Sequence, residues 1–222
     1  MNTSFLPQIQ PAHSLLEQLS APSLVQKVAV SRVLAGYEPT AALTSMCQGK
    51  RVLHVGCATS DGFDPADNLH MSLLRSGVCA KLTGVDEDSQ ALDRLSAHCD
   101  QPLLPDLADV SGPVDIVLVP QMLERIGNVA VFLTQIDRLE FTNIILSVTD
   151  ASQLASTRFD FVERDEMFVE IASAQQTQWF TPFTLQNAIR RYTSWRIKGL
   201  FYFDKGSLLM IASKATAESD PS

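Results

Sequence analysis

Short apolar runs alternate with segments of helical pattern from Arg51 onward. The runs that predict β-strands span residues 52–55, 82–85, 114–119, 143–148, 195–203 and 208–213. Between them, segments 68–75, 89–99, 129–139 and 182–192 carry apolar residues at helical intervals. Strands that alternate with helices favour an α/β fold, in which helices cover both faces of a mostly parallel sheet.

The two ends of the chain depart from this alternation. The turn-prone link Asp204-Lys205-Gly206 predicts that the last two strands pair as an antiparallel hairpin at the end of the sheet. Before residue 51, apolar residues recur at helical spacing within 15–19 and 25–34, and prolines punctuate the segment. We therefore predict a helical cap over residues 1–50, an α/β domain over 51–214 and a flexible tail over 215–222.

The composition limits the class of protein. The chain has 222 residues, of which 45% are hydrophobic and 19% are charged, the balance of a globular protein with one main core. No apolar run approaches the roughly 18 residues that cross a bilayer, and the first residues lack the pattern of a secretory signal. We therefore expect a cytoplasmic protein with no membrane partner.

Charge and residue types narrow the partners further. The formal net charge of −8 opposes the counterion release that drives nucleic-acid binding, so nucleic-acid partners are disfavoured. The cysteines contain no Cys-x-x-Cys pair and the histidines form no ligand pattern, so we predict reduced thiols and no metal site. A small-molecule partner is favoured, and the sequence is compatible with a homodimer.

The turn after the first strand is the first candidate site. Gly56 follows that strand directly, and Ala58 and Ser60 keep the turn small, which suits the close approach of a nucleotide-like ligand. Asp86 ends the second strand, where a carboxylate is suited to accept hydrogen bonds from both ribose hydroxyls. The structural alternative is a plain strand-to-helix connection, because Glu87 and the two residues after it also suit a helix N-terminus.

A second carboxylate, Asp106, precedes the 114–119 strand by a short loop. This position is suited to place Asp106 near an adenine amino group, with Leu107 packing on the ring. A solvated loop aspartate is the equally ordinary alternative.

Two later segments carry a resemblance to a known family. Pro120-Gln-Met-Leu-Glu-Arg-Ile-Gly-Asn128 follows the 114–119 strand, and Trp179-Phe-Thr-Pro-Phe-Thr-Leu185 opens a late helix. Taken in order with the Gly56 turn and Asp86, they resemble the class I S-adenosylmethionine-dependent methyltransferases of small-molecule type. The resemblance covers about residues 51–214. It implies a Rossmann-like sheet of seven mostly parallel strands with helices on both faces and a C-terminal antiparallel hairpin.

The same resemblance implies S-adenosylmethionine as the cofactor and methyl transfer to a small molecule as the activity. The residues that it would place around the cofactor are Gly56, Cys57, Ala58, Asp86, Glu87, Asp106, Leu107, Val119 and Pro120. A nucleophilic acceptor needs little acid–base help, so no catalytic dyad is required. The candidates for a catalytic group are Glu124 and His70, and residues 149–180 would form a substrate-cover insertion.

Three positions depart from the family pattern. His54 stands where an acidic residue is usual, and Ala58 and Ser60 replace glycines, so each of the two adds atoms where a cofactor comes close. Overpacking costs about 1–3 kcal/mol, which favours, as an alternative, a methyltransferase-like binding or assembly protein without activity. An NAD(P)-dependent oxidoreductase ranks lower, because Asp61 takes the position of the last glycine in the dinucleotide-binding fingerprint.

Overall fold

The computed structural model describes residues 26–58 and 64–214. The helices are α1 (Pro39–Met46), α2 (Leu69–Ser76), α3 (Ser89–Ser96), α4 (Val129–Asp137), α5 (Ala151–Arg158) and α6 (Pro182–Tyr192), with a 3₁₀ turn at Leu107–Asp109. The strands are β1 (Arg51–Val55), β2 (Lys81–Val85), β3 (Leu103–Leu104), β4 (Val114–Pro120), β5 (Phe141–Thr149), β6 (Phe159–Val162), β7 (Met167–Glu170), β8 (Arg196–Phe203) and β9 (Ser207–Ser213).

Seven strands form one sheet in the order β3-β2-β1-β4-β5-β9-β8. The first five strands along the chain are parallel, whereas β9 runs antiparallel to both β5 and β8. The predicted α/β fold, the seven-stranded sheet and the terminal hairpin are therefore confirmed. The strand order reverses between β1 and β4, and ligands of open α/β sheets bind beyond the carboxyl ends of the strands at such a reversal.

The sheet is buried on both faces because neighbouring residues of β1 pack in different hydrophobic clusters. Leu53 packs in the cluster that contains Leu133 of α4 and Leu185 of α6. Val52 points to the opposite face and packs in the cluster that contains Leu43 of α1. Because side chains alternate across a strand, this apolar run supplies both layers of the core.

Side-chain caps set where the helices begin. The Asn68 Oδ1 atom accepts a hydrogen bond from the Met71 N–H at 3.0 Å, so α2 begins just after Asn68. Thr181 and Thr184 form a reciprocal capping box at the start of α6. These bonds satisfy backbone donors that have no partner within the helix.

The structure differs from the sequence expectation before β1. Residues 26–30 are irregular and residues 33–36 form turns, so the helical spacing within 25–34 does not produce a helix there. Instead, the Ser31 N–H donates to the Leu200 carbonyl at 2.9 Å, and the Tyr202 N–H donates to the Ser31 carbonyl at 2.9 Å. Pairing with the exposed edge of β8 satisfies these backbone groups and overrides the local pattern. The predicted cap over residues 1–25 and the tail over 215–222 lie outside the described residues.

The segment between β5 and α6 contains elements that the apolar pattern did not predict. Helix α5 follows β5, and β6 and β7 form a separate antiparallel pair. All four residues of β7 are exposed, so no alternation between buried and exposed positions marks it as a strand. Among the described residues, no helix combines the length and apolar character needed to cross a membrane.

Candidate cofactor and acceptor site

The turn that follows β1 requires a glycine at residue 56. Gly56 has a φ of +75°, a conformation that side-chain-bearing residues rarely adopt. Its N–H donates to the Val85 carbonyl at 2.8 Å, which holds the turn against the end of β2. A Cβ atom added at Gly56 would lie 2.9 Å from the Met122 Sδ atom. The backbone conformation and the Met122 side chain therefore both exclude a larger residue.

Asp86 joins this turn to the start of α3. Its Oδ2 atom accepts a hydrogen bond from the Ala58 N–H at 3.0 Å, and its Oδ1 atom accepts one from the Asp88 N–H at 3.1 Å. Burial raises the pKa of the Asp86 carboxyl, and these two hydrogen bonds oppose the rise. Each carboxylate oxygen has a further acceptor position. Asp86 can therefore bind ribose hydroxyls while it keeps the turn in place.

The Cys57 side chain points away from this edge of the sheet. Cys57 is buried, and a Cβ atom added at Gly84 would lie 2.6 Å from the Cys57 Sγ atom. Burial raises the pKa of the Cys57 thiol to about 12, so the thiol is neutral at physiological pH. Only the backbone of Cys57 is placed to approach a cofactor.

His54 and His70 form a buried pair behind the Gly56 turn. Their Nδ1 atoms are 3.3 Å apart, and their rings stack with centroids 5.4 Å apart. Burial lowers the pKa of both histidines, that of His70 to about 4. The Nε2 atoms of both rings are buried without a partner among the described residues. His70 is thus neither on the surface nor capping a helix, and its burial argues against a role in proton exchange with an acceptor.

Glu124, the other catalytic candidate, connects three loops. Its Oε1 atom accepts a hydrogen bond from the Thr149 N–H at 2.5 Å, and its main-chain carbonyl accepts one from the Thr177 N–H at 2.8 Å. The Oε2 atom is buried without a partner among the described residues. Burial raises the pKa of the Glu124 carboxyl. These contacts give Glu124 a bracing role at the ends of β4 and β5.

The remaining candidates have clear structural roles. The Asp106 Oδ1 atom accepts a hydrogen bond from the Ala108 N–H at 2.8 Å and caps the 3₁₀ turn. Leu107 packs against the main hydrophobic cluster, and Val119 lies within it. Glu87 is exposed at the start of α3. Gly56, Ala58 and Asp86 are therefore the candidates that direct contacts bring together.

A cleft of about 450 Å³ lies at the carboxyl ends of β4 and β5. It is lined by residues of α1, α2, α5, the two strand ends and the β8–β9 turn, among them Pro120, Gln121, Ser147, Thr149, Arg158 and Lys205. Pro120 is the one predicted cofactor residue that lines this cleft. Its register partner on β5 is Ser147.

Gln121 organises the wall of the cleft. Its Nε2 atom donates to Ser207 Oγ at 3.1 Å, and its Oε1 atom accepts from Thr149 Oγ1 at 3.0 Å. Its N–H donates to the Ser147 carbonyl at 3.0 Å. Gln121 also has a φ of +49°, a strained conformation for a residue with a side chain. The four hydrogen-bonding groups hold β4, β5 and β9 together at this edge.

The sequence reading missed Gln121, Thr149 and Arg158. A signal existed for the first two, because each stands at the carboxyl end of a strand, where an open α/β sheet binds its ligand. Arg158 lacked such a signal, since α5 had not been predicted. Across the described ranges, no group of three or more His, Cys, Asp or Glu side chains is arranged to hold a metal ion.

No protein-family model matches the sequence, and no curated protein sequence matches it either. Solved structures do match the fold. An S-adenosylmethionine-dependent methyltransferase from Mesorhizobium loti matches with a TM-score of 0.54 and 16% identity, over 81% of this chain and 99% of the other. A putative type 11 methyltransferase from Sulfolobus solfataricus matches with a TM-score of 0.57 and 13% identity, over 82% and 95%.

The chain has the methyltransferase fold. A third match with a TM-score of 0.57 and 14% identity comes from the complex between the Haloferax volcanii Trm112 methyltransferase activator and a putative methyltransferase, covering 80% of this chain and 89% of the other. Sequence identities this low establish the shared methyltransferase fold alone. Function therefore has to be argued from the residues at the sheet edge.

Proposed function

We propose that this protein transfers a methyl group from S-adenosylmethionine to a small-molecule acceptor. The observation that carries the proposal is the meeting of Gly56, Ala58 and Asp86 at the carboxyl ends of β1 and β2. This edge lies beside the reversal of strand order, in a chain with the methyltransferase fold.

The residues of the turn fit the cofactor. Asp86 keeps acceptor positions for the ribose hydroxyls, and the missing side chain of Gly56 lets the backbone come close to a ligand. Met122, which contacts this glycine position, is flexible and can shift to admit the methionine part. Asp106 and Leu107 remain candidates for the adenine end.

S-adenosylmethionine supplies an electrophilic methyl group on a positively charged sulfur. The protein's part is then to align the acceptor with that group and to exclude water, which needs no catalytic dyad. The adjacent cleft of about 450 Å³ falls within the size range of small-molecule sites. The net charge of −8 further favours a small molecule over a nucleic acid.

Calorimetric titration with S-adenosylhomocysteine tests the proposal. We expect saturable binding to the wild-type protein and binding to Asp86→Ala that is about tenfold to a hundredfold weaker, because a hydrogen bond to a charged group contributes about 1.5–3 kcal/mol. Asp165→Ala, in the exposed β6–β7 turn, is the matched control and should bind like the wild type. Absence of both heat and a thermal shift at millimolar ligand would overturn the proposal.

The same titration separates the alternatives. A methyltransferase-like binding protein without activity is favoured by Ala58, which adds a methyl group beside Asp86, and predicts that Asp86→Ala leaves the biological role intact. A nicotinamide-dependent oxidoreductase predicts saturable fluorescence changes with reduced nicotinamide cofactor. Asp61, on which that reading depends, lies outside the described residues.

A further inference from the structure

We infer that the cleft at the carboxyl ends of β4 and β5 selects an acceptor that carries an anionic group, a carboxylate or a phosphate, held by Arg158 and Lys205. The inference rests on the proposed function, because the cleft serves an acceptor only if the cofactor binds at the adjacent Gly56 edge. It adds the chemical class of the acceptor and the residues that recognise it.

The two cations lie on different elements that meet at the cleft. Arg158 ends α5, and Lys205 lies in the turn between β8 and β9. The Asp150 N–H donates to the Gly206 carbonyl at 2.8 Å, which ties the start of α5 to this turn. The fold therefore brings together two positive charges that are far apart along the chain.

Neither cation is neutralised by a described carboxylate. Within 26–58 and 64–214, the ion pairs join Arg51 to Asp115 and Lys214 to Asp137, at the opposite end of the sheet. Arg158 is half-buried and spends one N–H on the Ile171 carbonyl at 3.2 Å, which leaves further donors of the guanidinium.

The polar wall of the cleft offers hydrogen-bond donors. Ser147 Oγ accepts a hydrogen bond from the Gln121 N–H at 3.3 Å, and Ser207 Oγ accepts one from Gln121 Nε2. Neither hydroxyl donates to another described group, so both retain a proton for a ligand. Ser147 is 3% exposed, so its hydroxyl is almost removed from water. Asp204 is the one carboxylate that lines the cleft, and it is exposed. Two hydroxyl protons and two cations together favour a ligand that accepts hydrogen bonds and is negatively charged.

Backbone strain is concentrated at the same place. Three residues other than glycine have a positive φ among those described, and two of them, Gln121 and Asp204, line this cleft. Residues in such conformations persist where surrounding contacts hold them, and they cluster at ligand sites. The hydrogen bonds of Gln121 supply those contacts.

The anionic group serves as an anchor, so that a different atom of the acceptor reacts. That atom uses a lone pair to form the new bond to the methyl carbon, the carbon–sulfur bond breaks with its electrons moving to sulfur, and a proton on the nucleophile leaves to water. Anchoring at Arg158 and Lys205 limits the orientations of the acceptor, which is the contribution that alignment makes to such a transfer.

Three probes of similar size test the inference on protein saturated with S-adenosylhomocysteine. Benzoate and phenyl phosphate carry the two candidate anionic groups, and benzyl alcohol carries none. We expect calorimetry to show saturable binding of at least one anion in the millimolar range, weakened by added salt, and at least tenfold weaker binding of benzyl alcohol. The relative affinities of the two anions identify the preferred group.

Variants assign the binding to the cations. Arg158→Gln and Lys205→Gln should each weaken the preferred anion about tenfold to a hundredfold, because each loses a charged donor. Arg190→Gln, on the exposed side of α6, should bind like the wild type. Lys205→Gln alters an exposed turn residue, so it keeps the test valid if Arg158→Gln unfolds.

Two results would overturn the inference while leaving the proposed function intact. The first is S-adenosylhomocysteine binding without binding of either anion, and the second is anion binding that both glutamine variants retain. Failure of S-adenosylhomocysteine itself to bind would instead remove the proposed function.

Discussion

Acidification should destabilise this protein through the buried pair of His54 and His70. Both rings are neutral in the folded state because burial lowers their pKa values. In the unfolded chain they regain the ordinary histidine pKa of 6.5. Below that pH the unfolded state binds more protons than the folded state, so folding stability is lost as the pH falls from 6.5 towards the folded pKa of His70, about 4.

The magnitude follows from the two pKa values of His70. With 6.5 in the unfolded chain and about 4 in the folded protein, lowering the pH from neutral to about 5 removes about 2 kcal/mol of stability. His54 acts in the same direction. The raised pKa values of Asp86 and Glu124 act in the opposite direction, since these folded carboxyls take up protons more readily than unfolded ones.

Urea unfolding followed by tryptophan fluorescence measures this effect at neutral pH and at about pH 5. The double variant His54→Leu/His70→Leu retains Asp86 and Glu124 but lacks the buried imidazoles. Its stability should therefore fall less on acidification than that of the wild type, by at least the 2 kcal/mol or so assigned to His70. His98→Gln, at an exposed histidine, should keep the wild-type fall. An equal fall in the double variant and the wild type would refute the reasoning.

Two further predictions concern the site edge and the opposite end of the sheet. Gly56→Ala should lower the free energy of unfolding by about 1–3 kcal/mol, because alanine is strained at a φ of +75° and its Cβ would press on Met122; an unchanged urea midpoint would contradict this. Asp115→Asn should lower stability at neutral pH, because hydrogen bonds from Arg51 hold the pKa of Asp115 at about 2, below its ordinary 3.8. This contribution exists above pH 3.8 and is lost as the pH falls through about 2, so acid titrations of the two proteins should converge there, and curves that stay parallel would exclude the ion pair as the cause.

The local sequence determined the central strands and the helix that carries the late motif. Residues 182–192 form α6 as the spacing and the Thr181 cap predict, because its capping and its apolar stripe are properties of neighbouring residues. Runs such as Val114–Pro120 are long and apolar enough to be recognised as buried strands. The two-residue β3 has no such signal, since its pairing with β2 depends on a residue far along the chain.

For the site, the sequence by itself determined the chemical types and the tertiary structure decided their surroundings. Gly56 and Asp86 were recognisable because each stands at the carboxyl end of an apolar strand, and parallel pairing brings those ends together. Which side chains face inward was not recognisable, so His70 and Cys57 were placed at the site although they are buried. The cations Arg158 and Lys205 meet only because β9 pairs with β5, a long-range contact that no local pattern encodes.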